Sequence, residues 1–200
     1  MLKKVVLLGV SALTAFAMNT GEININDKDL EVSAQFDIGQ FNKAVEPNTM
    51  FLGAKFLNAD GEHSDNDNAD LDPYFEANFL LMQPMAKTGL RLGMGVKANY
   101  TKDFITVPLG LQFAYKLPLK TLIPMFINGA VYYAPTALSF SDADSFLECR
   151  ASFDIQIIKN GNITIGYRRL DTNYEVARGY LADGDFTYNS SWYVGFKINF

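Results

Sequence analysis

The chain has one histidine, His63, and it lies in an acidic stretch. Residues 59–72 read Ala-Asp-Gly-Glu-His-Ser-Asp-Asn-Asp-Asn-Ala-Asp-Leu-Asp, with no Lys or Arg. A histidine beside carboxylates or hydroxyls is the general base of many hydrolases. Asp65, Asp67 and Asp70 bring oxygens of the kind that hold divalent cations. The spacing supports neither chemistry. No Ser or Asp is set around His63 in a recognisable constellation. The aspartates lack the glycine in register and the closing glutamate of a calcium loop. Phosphate loops, zinc spacings and dinucleotide fingerprints are absent from the sequence. The expectation is a solvated acidic loop, with no catalytic residue, resident metal or cofactor. A hydrolase acting through His63 stands as an alternative.

A second set of reactive types is spread along the chain: Glu76, Arg91, Lys97, Glu148, Arg150, Asp154, Arg168 and Lys197, with Glu31, Asp37 and Lys55. All but Arg168, which precedes Arg169, sit between apolar neighbours. Over residues 90–100, Leu90, Leu92, Met94, Val96, Ala98 and Tyr100 alternate with Arg91, Gly93, Gly95, Lys97 and Asn99. Strict alternation is the mark of a strand with one apolar face. The charges therefore share one side of a sheet. Buried charges persist only when paired, so both signs on one face predict ion pairs between strands.

The elements that position them recur along the chain. The last is the clearest: Trp192, Val194, Phe196, Ile198 and Phe200 alternate with Tyr193, Gly195, Lys197 and Asn199. A strand that ends on an aromatic residue suits a transmembrane β-barrel, whose alternate residues face lipid. Trp192, Phe196, Ile198 and Phe200 resemble the signal read by barrel-assembly machinery. Nine strands are clear. Counting back from Phe200 puts the short turns 84–89, 118–121 and 160–161 at one end. The longer segments 59–72, 134–145 and 171–189 fall at the other. An even count needs residues 21–27 as a first strand. The fold predicted is all-β, a closed antiparallel transmembrane barrel of ten strands, with eight as the alternative. A soluble sandwich or lipocalin-like barrel also alternates. It would bury Leu92, Phe113, Phe153 and Trp192 in a shared interior.

Met1-Leu2-Lys3-Lys4, an apolar run over 5–17 and Ala15-Phe16-Ala17 make a secretory signal peptide. Residues 18–200 then form one domain. The run is short for a membrane anchor. The net charge is −5, and the leader carries away two lysines, so nucleic acid is not an expected partner. The 16 Phe and 10 Tyr suit interfacial girdles. Cys149 is the only cysteine and alternates with the apolar set, which predicts inert filling.

Three stretches carry a resemblance: Tyr132-Tyr133-Ala134-Pro135, Leu138-Ser139-Phe140-Ser141-Asp142-Ala143 and Gly166-Tyr167-Arg168. With their spacing, they resemble the YfaZ family of outer-membrane proteins. The resemblance implies an outer-membrane barrel of a Gram-negative bacterium and supplies no reaction or catalytic residue. Asp142 or Glu148 is the expected partner of Arg168. The function expected is a non-enzymatic, structural or surface-interaction barrel with a narrow, charge-paired lumen. Its partners are outer-membrane lipid, lipopolysaccharide and the assembly machinery. A small porin-like channel for polar solutes is the alternative. A weak divalent site at Asp65, Asp67 and Asp70 would bridge to lipopolysaccharide phosphates.

Overall fold

The computed structural model describes residues 20–199 apart from 68, 87, 120–122 and 175–183. Phe200 and the segment 1–17 lie outside the described residues. The strands are β1 (Thr20–Ile25), β2 (Leu30–Asp37), β3 (Met50–Asn58), β4 (Tyr74–Pro84), β5 (Leu90–Tyr100), β6 (Phe104–Thr106), β7 (Leu109–Lys116), β8 (Met125–Ala134), β9 (Ser139–Ser141), β10 (Ala143–Ile158), β11 (Gly161–Tyr174) and β12 (Gly184–Asn199). All except β6 and β9 belong to one wall. Each wall strand pairs antiparallel with the next, and β1 pairs with β12, from Thr20 opposite Asn199 to Ile25 opposite Val194. The result is a closed ten-strand barrel, so the eight-strand alternative is excluded.

The alternation sets which way each side chain points. Trp192 is 70% exposed, and Leu92, Met94, Leu111 and Phe113 also lie on the outer surface. Phe153 stands opposite Ile127 and Ile165, both exposed. Meanwhile Glu31 and Glu148 are 1% exposed and Arg168 is 2%. The apolar residues do not share an interior; the charged ones do.

The two ends of the barrel differ. Thr20 and Asn199 lie at one end with the connections 85–89, 117–124 and 159–160. This is the turn end. One connection there breaks the rule of short turns: residues 38–49 run long between β2 and β3. The buried Asp37 carboxylate pins that segment, accepting from the amides of Gly39 (2.9 Å) and Asn48 (2.6 Å).

At the other, loop end, the expected loops are partly strand. Residues 171–189 were expected to be a long polar loop. Instead β11 runs on to Tyr174 and β12 resumes at Gly184, with Asn173 opposite Asp185. The apolar-out pattern inverts there: Arg169 pairs with Asp171 and Asn173 bonds Asp185 on the outside, while Leu170, Tyr174 and Phe186 are buried inside. Residues 134–145 likewise contain β9, which pairs with β6. These additions cover an aromatic cluster. Phe104 lies 5.7 Å from Phe146, 5.9 Å from Tyr188 and 6.4 Å from both Tyr74 and Tyr174. Leu57, Leu71, Leu170 and Phe186 complete it. The cluster closes the loop end of the barrel.

Candidate functional site

Below the aromatic cluster the lumen is crossed by charge. Lys55 on β3, Glu76 on β4, Lys97 on β5 and Glu148 on β10 form a ring of alternating sign. Lys55 meets Glu76 at 2.6 Å and Glu148 at 3.1 Å. Lys97 meets Glu76 at 3.1 Å and Glu148 at 2.5 Å. Each charge thus has two opposite neighbours, which is what removal from water demands. The Lys97 ammonium also lies 4.1 Å from the centre of the Tyr132 ring.

A second cluster stands beside this ring. Arg150 on β10 and Arg168 on β11 are cross-strand partners, a like-charge arrangement that would repel. Glu31 of β2 sits between them. Arg150 donates to both Glu31 oxygens, at 2.5 and 3.1 Å, and Arg168 reaches Oε2 at 3.4 Å. Both guanidinium groups also lie over the Tyr193 ring, at 4.8 and 5.7 Å. The expected partner of Arg168, Asp142 or Glu148, is replaced by Asp29, at 2.7 Å.

Asp29 belongs to the tight turn between β1 and β2 and ties four segments together. Its Oδ2 accepts from Arg168, from Asn189 at 3.0 Å and from Ser191 at 3.0 Å. Its Oδ1 accepts from the Asp60 amide at 2.9 Å. Burial alone would raise the Asp29 pKa. The bonds from Asn189, Asp60 and Asn26, with the Arg168 charge, outweigh it and bring Asp29 down to about 2.

His63 docks on this turn. Its Nδ1 is 3.1 Å from Asp29 Oδ2, and Nε2 is 3.5 Å from Asp27. Ser191 and His63 therefore both reach the same carboxylate. In a Ser–His–Asp relay the imidazole stands between the other two; here the carboxylate does. The acidic loop around His63 is also anchored. The Asp65 carboxylate accepts from the Thr187 amide at 2.6 Å, and the Asp65 amide donates to the Thr187 carbonyl. Asp67 and Asp70 are exposed, and among the described residues no three His, Cys, Asp or Glu side chains gather as metal ligands.

Glycine makes room for the lumen tyrosines. A Cβ at Gly110 would fall 2.5 Å from the Tyr132 ring, and one at Gly166 would fall 2.4 Å from the Tyr193 hydroxyl. The tyrosines lie flat across neighbouring strands and fill space that larger inward residues would occupy. Tyr132 accepts from Gln112 at 2.6 Å, and Tyr193 accepts from Arg150 at 2.8 Å.

Toward the turn end the filling stops. Lys197 pairs with Asp154 at 2.9 Å and with Glu22 at 3.4 Å. Beyond them lies a cavity of about 700 Å³, with Asn78, Gln112, Asn128 and Ser152 in its wall. Arg91 stands at its mouth, donating to the Asn48 carbonyl and lying 5.9 Å from the Phe51 ring.

Alternation brought most of these side chains within reach of sequence reasoning. Glu22 was missed, although Ile23 and Ile25 facing outward would have turned it inward. Asp29 left no such signal, because turn residues have no period. The three stretches of the resemblance have physical roles. Tyr132 fills the lumen, and Ser139 Oγ bonds the Pro135 carbonyl at 3.2 Å. Gly166 admits Tyr193, Tyr167 packs on Trp192 at 5.4 Å, and Arg168 binds Asp29.

No curated protein and no solved structure matches the chain. One family model, described as YfaZ precursor, matches residues 2–200. Nearly the whole sequence lies inside that match, the barrel and its charged lumen included, and the chain belongs to the YfaZ family.

Proposed function

We propose that this YfaZ-family barrel is an integral protein of the bacterial outer membrane with a structural or surface-interaction role and a lumen that does not conduct. Residues 1–17 serve as the export leader. Residues 18–200 form the barrel, inserted by the assembly machinery through the β12 pattern. Outer-membrane lipid and lipopolysaccharide surround it, and the turn end faces the periplasm. Neither a nucleic acid nor an enzymatic reaction is part of this reading.

One observation carries it: burial is inverted. Trp192 is 70% exposed while Arg168 is 2% exposed. An apolar exterior on a closed wall is stable against hydrocarbon and costly against water. Tyr100, Tyr133 and Trp192 are all exposed near the loop-end margin of this band, where an aromatic girdle belongs. Beyond the margin, β11 turns polar on its outside, with Arg169, Asp171 and Asn173.

The non-conducting lumen rests on the aromatic cluster and the ring of ion pairs beneath it, which fill the loop-end half. A structural use of His63 follows from its place on Asp29 Oδ2, the oxygen to which Ser191 also donates. The test is planar-bilayer recording on protein whose heat-modifiable migration shows a folded barrel. The expected result is no steady, discrete current. Reproducible unitary steps would favour the small-channel alternative.

A further inference from the structure

The apolar belt on the outside of the wall is not of even height. On β5, Leu90, Leu92, Met94, Val96, Ala98 and Tyr100 carry the outward set along the whole strand. Its partner is as long, because β6 and β7 form one run against it, from Tyr115 opposite Leu90 to Ile105 opposite Tyr100. At the loop end of this side Ile105 and Phe140 stand opposite each other, both exposed. At its turn end Met85, Leu119 and Ile123 are exposed too. On β2 the outward set shrinks to Val32, Ala34 and Phe36, and Leu30 above them is buried. Ile25 and Leu52 are the exposed large apolar residues of β1, β2 and β3.

Strand length converts this difference into height. A strand rises about 3.3 Å per residue, and barrel strands tilt by about 40°. The eight residues of β2 then climb about 20 Å and the eleven of β5 about 28 Å. An outer-membrane wall presents an apolar band about 25 Å tall. β5 covers that band and β2 does not. The turn that joins β1 to β2 is also polar. The Asp27 side chain is 71% exposed, and Lys28 pairs with Glu62 at 2.8 Å on the surface. In a bilayer of even thickness these charges would lie at the depth of acyl chains, which is costly. Below β2, Phe41 is exposed beside Gln40, Asn42 and Lys43, a mixture that suits the headgroup level.

Tilting the barrel does not remove the mismatch. β7 and β8 lie across the ring from β1 and β2. A tilt that lowers one end of the tall side raises its other end, and that side overhangs at both. The lipid has to give instead, and a short apolar stretch thins the bilayer around it.

We propose that the β1–β2 face is a thin sector of the wall, where the bilayer is compressed and lipid headgroups descend to the level of Asp27 and Lys28. The partner this surface fits is lipid in a locally thinned bilayer, beside the seam where β1 meets β12. The proposal rests on the outer-membrane reading above.

The test is depth-resolved quenching of single tryptophans in the full barrel, reconstituted into lipid brominated either near the headgroup or near the chain end. Trp192→Phe is the background. Leu111→Trp places the reporter on β7, on the tall side, and Ile25→Trp places it at the top of β1; both positions are exposed. The six residues of β1 climb about 15 Å, so in a bilayer of even thickness both reporters lie near its middle and respond alike. The thin sector separates them. Leu111→Trp should be quenched more by the deep bromine, and Ile25→Trp more by the shallow one. Stronger quenching of Ile25→Trp by the deep bromine would overturn the proposal. Escape of Leu111→Trp from both bromines would sink the outer-membrane reading itself, and the proposal with it. If Ile25→Trp loses heat-modifiable migration, the native Trp192 replaces it. The Asn26 amide donates to the Trp192 carbonyl at 3.2 Å, which sets that indole beside the same turn, and the same preference for the shallow bromine is expected.

Discussion

The loop-end and turn-end halves of the lumen are built from the same strands and differ in what fills them. At the loop end, Tyr74, Phe104, Phe146, Tyr174 and Tyr188 pack together, and Lys55, Glu76, Lys97 and Glu148 close a ring of charge beneath them. At the turn end the same wall encloses a cavity lined by polar and apolar side chains together. Alternation alone produces neither difference. A ten-strand wall leaves more room than inward side chains fill by default, so extra mass must come from elsewhere. At the loop end it comes from long connections and from β6 and β9. At the turn end the connections are short, apart from 38–49, and the space remains.

This contrast predicts an order of sensitivity. The largest effect belongs to the charge ring. Glu148→Leu leaves Lys55 and Lys97 sharing Glu76 alone. Breaking a buried pair costs about 3–5 kcal/mol. Denaturant unfolding in a lipid or detergent host should show a loss of that size. Adding Lys97→Met should recover much of it, because paired charges replaced by apolar groups are often neutral. A loss below about 1 kcal/mol in the single variant would mean that water, not a partner, solvates these lysines.

Next comes the aromatic cap. Phe104→Ala removes the ring that touches the others and should cost about 3 kcal/mol. It also thins the seal, so single-channel recording should show brief openings that the parent lacks. Unchanged stability would place the closure elsewhere.

The Asp29 turn is expected to add less. Its carboxyl sits near 2 in the fold against an ordinary 3.8. A depressed carboxyl stabilises the fold above its unfolded value, and that stability is lost as pH falls from about 4 toward 2. The size is about 1–2 kcal/mol once solvent screening is allowed for. Asp29→Asn should reduce the acid-range loss by that amount, measured as the pH dependence of the unfolding midpoint. Persistence of the full acid loss in Asp29→Asn would assign it to another group.

The smallest effect belongs to the turn end. Gln112→Ala takes away a bond to Tyr132 next to open space and should change stability by under about 1 kcal/mol. A loss as large as that of Glu148→Leu would erase the difference between the halves.

How much of this was legible follows from where period-two alternation holds. It holds on β5, where Leu92 and Met94 face out and Lys97 faces in, and the wall and its sidedness could be read there directly. It fails on the outer parts of β11 and β12. Arg169, Asp171 and Asn173 point outward and alternate with the buried Leu170, Thr172 and Tyr174, the reverse of the apolar-out pattern of the wall, so 171–189 reads as loop. Lumen membership of Arg168 was legible, but its partner was not. Asp29 approaches from a turn, and nothing in spacing links residues 29 and 168. The aromatic cap was likewise hidden. Phe104 and Phe146 lie far apart in sequence, and pairing of β6 with β9 brings them together.

The inverted burial on which the outer-membrane reading rests has a direct optical test. Trp192 is the only tryptophan and is 70% exposed on the outer wall. The protein is reconstituted into bilayers of lipids brominated on their acyl chains, and its fluorescence is compared with that in unbrominated lipid. Bromine quenches an indole only on contact. The prediction is blue-shifted emission with strong quenching in the brominated bilayer and little quenching by aqueous iodide. Red-shifted emission, indifferent to brominated lipid and quenched by iodide, would contradict a wall that faces hydrocarbon.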